Sequence, residues 1–214
     1  MPDAGSYIYS GDPENRAWFR QTKIHQTLTL DSKNANYAPK LLQWKSGDDV
    51  DILVVENVSY DNLTHRRAVF FVDKRYFVIV DEAIGDGKGD VGLHFQLSPG
   101  EAEFDNRSLT VNTGYKKGWN VLVKTNKQKG IQLIEEEGQV SFEYTRKEPR
   151  PAFGYHVEKT SNQQGLRFVT LVAPYEVERP DVKIKVLGKP EMGAASIQLE
   201  INENGDKRVI GYTL

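Results

Sequence analysis

The chain has 214 residues, 38% of them hydrophobic and none of them cysteine, enough for a substantial core without any disulfide framework or thiolate metal site. With 28 basic and 30 acidic residues the formal charge is -2, so no global field draws the protein onto nucleic acid or an anionic membrane. No apolar run approaches the roughly 18 residues of a membrane span, and no charged-then-apolar leader opens the sequence.

The chain opens with Pro2–Lys33, PDAGSYIYSGDPENRAWFRQTKIHQTLTLDSK, which sets Asp3 before a strand-like SYIYS run and His25 before a second strand. One short helix is expected between them, over Pro13–Gln21, with Asp12 as its cap and Pro13 at its first position. After Gln26, period-two alternation dominates. Strands are expected at Thr27–Asp31, Val50–Val58, Arg67–Asp73, Tyr76–Asp81 and Val91–Leu97. Further strands are expected at Ser108–Asn112, Trp119–Lys124, Val140–Tyr144, Arg167–Ala173, Val182–Val186, Ile197–Ile201 and Arg208–Tyr212. Asp73–Arg75 reads as a tight turn, Gly85–Gly89 as a hairpin turn and Lys147–Pro151 as a stiff connection.

So many strands in one open sheet would leave long edges exposed, whereas stacked antiparallel sheets bury the alternating apolar faces. The expected fold is therefore all-β, an antiparallel multi-sheet sandwich of supersandwich type with at most one short helix. Without an internal repeat or a long linker, residues 1–214 read as a single domain.

Asp3 and His25 carry a carboxylate and an imidazole, both suitable ligands for a divalent metal, although two ligands do not close a site. The competing assignment packs His25 at a strand entry and uses Asp3 to cap a turn. His65, His94 and His156 fall in or beside strand-like runs, without the i, i+4 helical spacing of a metallopeptidase. His65 with Arg66 and Arg67 could face an anion, but the group reads rather as a solvated strand face. No G-x-S-x-G elbow offers an acyl-transfer nucleophile, and GDGKG leads into a strand, not into a helix N-terminus that would bind phosphate. Tyr7, Tyr9, Arg16, Trp18, Phe19 and Arg20 concentrate aromatic faces and guanidinium forks that suit an acidic polysaccharide. Trp18 and Phe19 serve equally as core anchors for the helix.

PDAGSYIYSGD followed by NRAWFRQTKIHQTLTLDSKN closely resembles the start of the C-terminal β-sandwich of the heparinase II/III family, nearest its heparinase III branch. The likeness continues through Arg66–Asp81 (RRAVFFVDKRYFVIVD), Trp119–Lys124 and Val140–Phe153 (VSFEYTRKEPRPAF), covering nearly the whole chain. It implies polysaccharide lyase chemistry, the β-elimination of uronic-acid polysaccharides such as heparan sulfate. It also implies that an N-terminal (α/α) toroid belongs to the parent protein and is absent from this chain. The family's catalytic histidine lies upstream of the PDAG motif, and an asparagine and a tyrosine come from the toroid, so no catalytic residue is expected here. By the same resemblance Asp3 and His25 help to hold a divalent metal ion, and Tyr7 faces the substrate cleft, with Arg20 a further anion contact.

The expected function is therefore a cleft wall and partial metal site within a lyase, inactive alone. The alternative is a stand-alone, non-catalytic carbohydrate-binding module. Expected partners are an acidic polysaccharide and the toroid of the same parent, with neither nucleic acid nor membrane. The resemblance implies a periplasmic or secreted bacterial parent.

Overall fold

Branched and aromatic residues at alternate positions give most strands one face to bury, and the described residues hold seventeen strands in four antiparallel sheets. The coordinates are a computed structural model describing residues 1–161 and 163–214. One α-helix, α1 (Pro13–Trp18), and a single 3-10 turn at Thr22–Ile24 precede β1 (Leu28–Leu30), β2 (Pro39–Lys45), β3 (Val50–Tyr60), β4 (Leu63–Val72) and β5 (Tyr76–Ile84). Next come β6 (Gly89–Gln96), β7 (Ala102–Asp105), β8 (Thr110–Thr113), β9 (Asn120–Thr125), β10 (Gln132–Glu136), β11 (Gln139–Glu143) and β12 (Arg146–Pro149). The chain ends with β13 (Ala152–Lys159), β14 (Leu166–Tyr175), β15 (Val182–Val186), β16 (Ser196–Glu203) and β17 (Asp206–Thr213).

An eight-stranded sheet, β2-β3-β4-β5-β14-β9-β8-β7, forms the middle layer. Against one face lies the four-stranded sheet β1-β6-β13-β10, and Leu93, Phe95, Phe153, Tyr155 and Phe168 fill the core between them. Against the other face lies β15-β16-β17, whose Leu199 and Ile201 meet Phe70 and Val78 in a second core. The multi-sheet sandwich expected from the alternation is thus the observed architecture, with its middle sheet covered on both sides. Ile201 is fully buried, so Ile201→Val should cost about 0.5–1.5 kcal/mol, read as a lower urea midpoint at unchanged slope. No change in midpoint would mean that the three-stranded layer is not docked.

Asp73 and Lys74 take φ of +50° and +56° between β4 and β5, and Arg75 N–H donates to Val72 O at 2.9 Å. This is the tight turn expected there, of the hand that matches strand twist. Several expectations need correction. The helix stops at Trp18, not Gln21, although Asp12 Oδ1 does accept from Asn15 N–H at 3.1 Å. SYIYS is not a strand, because Tyr7 turns to φ +55° and breaks the extended run. Lys147–Pro149 belongs to β12, an exposed hairpin arm in which the edge position tolerates Pro149. Like β12, strands β2, β7, β10 and β13 are absent from the strands expected above.

Candidate functional site

The opening segment has too few apolar residues for a layer of its own and instead forms a small cluster in which Ala4, Phe19 and Ile24 are buried. Phe19 is thus a core anchor, while half-buried Trp18 packs edge-on against it at 4.8 Å. Backbone pairing fixes the segment to the β11–β12 hairpin, with Ser141 N–H donating to Ala4 O at 2.9 Å and Thr145 N–H to Tyr7 O at 2.8 Å. Gly5 is required at this crossing, since a Cβ there would lie 2.2 Å from Ser141 O and its φ is +76°. Arg150 is buried and donates to Pro2 O at 2.8 Å.

His25 Nδ1 and Asp3 Oδ2 stand 2.7 Å apart, and Asp3 Oδ1 accepts from Gly5 N–H at 3.0 Å. Burial alone would raise the Asp3 pKa, but the Gly5 amide and His25 outweigh it and hold the carboxyl below its ordinary value. Tyr7 stacks on Phe19 with ring centroids 5.4 Å apart, and Lys147 Nζ lies 5.5 Å from the Tyr7 ring. Tyr9 is exposed, stacked on Tyr144 at 5.9 Å and covered by the Arg16 guanidinium at 5.7 Å. Arg20 is exposed just beyond the helix. The structure therefore brings Asp3 and His25 into contact, with Tyr7 packed nearby through Phe19. Tyr9 and Tyr7 thus each carry a cation beside the ring, Arg16 and Lys147 respectively.

His65 and Arg66 are not a solvated strand face. Both are buried, because β4 is an inner strand of the sheet that is covered on both sides. His65 Nε2 and Arg67 Nε donate to the same oxygen of fully buried Asp81, at 2.6 and 2.7 Å. Arg66 turns the other way, to Glu56 at 2.6 Å and to Ala194 O at 2.7 Å.

A second polar cluster was missed in the sequence. His94, Glu136 and His156 offer ligand atoms within 4.8 Å of one another, the one such group of three found among the described residues. Burial alone would raise the Glu136 pKa, yet hydrogen bonds from His156 and His94 bring it down to about 2. His156 is pushed up to about 9, its bonds to Asp90 and Glu136 outweighing burial. Only strand register assembles the group, since Glu136 lies 42 residues from His94. The available signal was the repeated G-x-H pattern, Gly92-Leu93-His94 and Gly154-Tyr155-His156.

Fold and site together define a stacked β-sandwich domain with an aromatic and basic face beside a carboxylate–imidazole pair. The model of the family Heparinase II/III-like, C-terminal, matches residues 1–187, and the chain belongs to this family. A heparin-sulfate lyase of Pedobacter heparinus is 36% identical over 98% of this chain and 32% of its own length. A heparin-sulfate lyase of Bacteroides stercoris is 36% identical over 100% and 33% respectively. Among solved structures, heparan sulfate lyase HepC from Pedobacter heparinus superposes with a TM-score of 0.92 at 35% identity, over 100% of this chain and 34% of that one. A heparinase III gene product superposes with 0.95 at 34% identity and the same coverage. The chain thus spans about a third of the length of the relatives it matches.

Proposed function

We propose that residues 1–214 are the C-terminal β-sandwich of a polysaccharide lyase that cleaves uronic-acid polysaccharides of the heparan sulfate type by β-elimination. The observation that carries this reading is the contact of Asp3 with His25 next to the Tyr7 face, in a chain aligned over nearly its whole length with heparin-sulfate lyases. β-Elimination needs the uronate carboxylate neutralised, the C5 proton removed and the departing C4 oxygen protonated. In this reading the preceding toroid supplies the proton-transfer groups. Tyr7 offers a ring face to the sugar and Arg20 a guanidinium to its carboxylate or sulfate, so this domain binds and orients the chain. A parent that degrades such glycans works in the periplasm or outside the cell.

Asp3 Oδ2 and His25 Nδ1 are donors of the type a divalent ion accepts, and side-chain exposures of 65% and 35% leave the pair reachable. Further donors come from the rest of the parent. His25→Ala in the full-length enzyme should lower metal retention about 10-fold or more and activity with it. Elemental analysis finding no divalent metal in that enzyme would end the assignment. For the glycan face, calorimetry of this chain with heparan sulfate should show salt-sensitive binding that Tyr7→Ala and Arg20→Ala together abolish. Undiminished binding by the double variant would overturn it.

A further inference from the structure

The two G-x-H tripeptides lie on neighbouring antiparallel strands, β6 and β13, in a register that sets His94 opposite Gly154 and His156 opposite Gly92. Leu93 and Tyr155, the middle residues, point into the core, so both imidazoles stand on the outer face of the four-stranded sheet. Each stands across from a residue without a side chain. A Cβ at position 154 would lie 2.4 Å from His156 Nε2 and 2.7 Å from Glu136 Oε1, and one at 92 would lie 2.9 Å from His94 Nε2 and from His156 Cε1. The two glycines therefore keep open the volume on which the ring nitrogens and the carboxylate converge.

The atoms that converge are His94 Nδ1, 2.9 Å from both Glu136 oxygens, and His156 Nε2, 3.0 Å from Glu136 Oε1. Tetrahedral bonds of about 2.0–2.1 Å place ligand atoms about 3.3 Å apart, and the three donors here all lie within 4.8 Å of one another. The nitrogens facing away are fixed as well. His156 Nδ1 bonds Asp90 Oδ2 at 2.7 Å, and His94 Nε2 pairs with Thr29 Oγ1 at 2.7 Å. Ligand histidines held through the opposite ring nitrogen by a carboxylate or hydroxyl are the usual arrangement around a protein-bound metal. The donors are reachable, for His94 is fully buried while the His156, Glu136 and Asp90 side chains are 12%, 19% and 38% exposed.

We propose that His94, Glu136 and His156 form a binding site for a divalent transition ion of the zinc class, with Asp90 and Thr29 as positioning residues. Two nitrogens and one carboxylate favour such an ion over calcium or magnesium, which prefer all-oxygen shells. The donors come from β6, β10 and β13, and Thr29 brings in β1. One ion thus ties together three strands of the outer sheet, with β1 joined to them through Thr29 and His94. This site shares no donor with Asp3 and His25 and does not depend on the lyase assignment.

The test is titration of the chelator-treated 214-residue protein with Co2+ and with Zn2+. One equivalent of Co2+ should bind with the intense visible absorption of a four-coordinate site, Zn2+ should displace it, and X-ray absorption should count two imidazoles. Glu136→Gln and His156→Ala should weaken binding at least 10-fold, and Asp90→Asn, at a partly exposed position, about 10-fold. Affinity unchanged in Glu136→Gln would overturn the site. Should that variant fail to fold, unchanged affinity in Asp90→Asn, or a zinc shell without two imidazoles, would overturn it equally, as would a chelator-treated wild-type chain that takes up neither ion.

Discussion

Asp81→Ala should lower the unfolding free energy by about 3–5 kcal/mol, the cost of stranding buried charge by removing one partner. Asp81 is fully buried and serves two donors through one oxygen, His65 Nε2 at 2.6 Å and Arg67 Nε at 2.7 Å, while Arg67 also donates to Gln26 O at 2.6 Å. Without the carboxylate, Arg67 keeps its charge inside the sandwich with one backbone carbonyl to answer it. Burial alone would raise the Asp81 pKa, but Arg67 first and His65 second hold the carboxyl below its ordinary value. A group whose folded pKa is lowered stabilises above its unfolded value, near 4, and loses that contribution as pH falls through the folded value. Urea denaturation should therefore show wild-type stability falling on acidification below about pH 4, with this component missing in Asp81→Ala. A loss under about 1 kcal/mol would mean that the cluster is hydrated.

Phe153→Ala should cost about 3–5 kcal/mol, because a truncated buried ring leaves both lost transfer energy and a cavity. Phe153 has no exposed surface, stacks on Phe95 at 5.4 Å and meets Tyr155 and Phe104 edge-on at 5.6 and 6.0 Å. It lies on β13 between β6 and β10, so the cavity opens in the core joining the four- and eight-stranded sheets. Phe142→Ala, on the exposed hairpin at 61% accessibility, should stay within about 0.5 kcal/mol. Comparable losses at the two positions would contradict the placement of that core.

Strands with strict alternation were legible in the sequence. VDILVVENV, RAVFFVD and YFVIVD became β3, β4 and β5, and the Asp73–Lys74 turn followed from the short polar gap between the last two. The β10 segment QLIEE and the exposed β12 segment RKEP carry too few apolar residues to announce a strand, and tertiary pairing imposes their conformation. Burial of His65 and Arg66 was not legible either, because it depends on layers supplied by residues far along the chain, such as Ala194. At the opening segment the motif gave Asp3, His25, Tyr7 and Arg20 as residues of interest, and the first two meet in the structure. His94 and His156 looked like ordinary strand residues, since only the β6–β13 register and Glu136 of β10 turn them into a cluster.

The proposed function divides the labour, with this domain gripping an acidic glycan and the rest of the parent moving the protons. The most direct measurement is the ultraviolet absorbance of unsaturated uronate product in heparan sulfate incubated with the folded 214-residue chain, beside the full-length parent. The parent should generate product, while the isolated chain should generate none under conditions where calorimetry shows it bound to the polysaccharide. Robust product formation by the isolated chain would contradict the account.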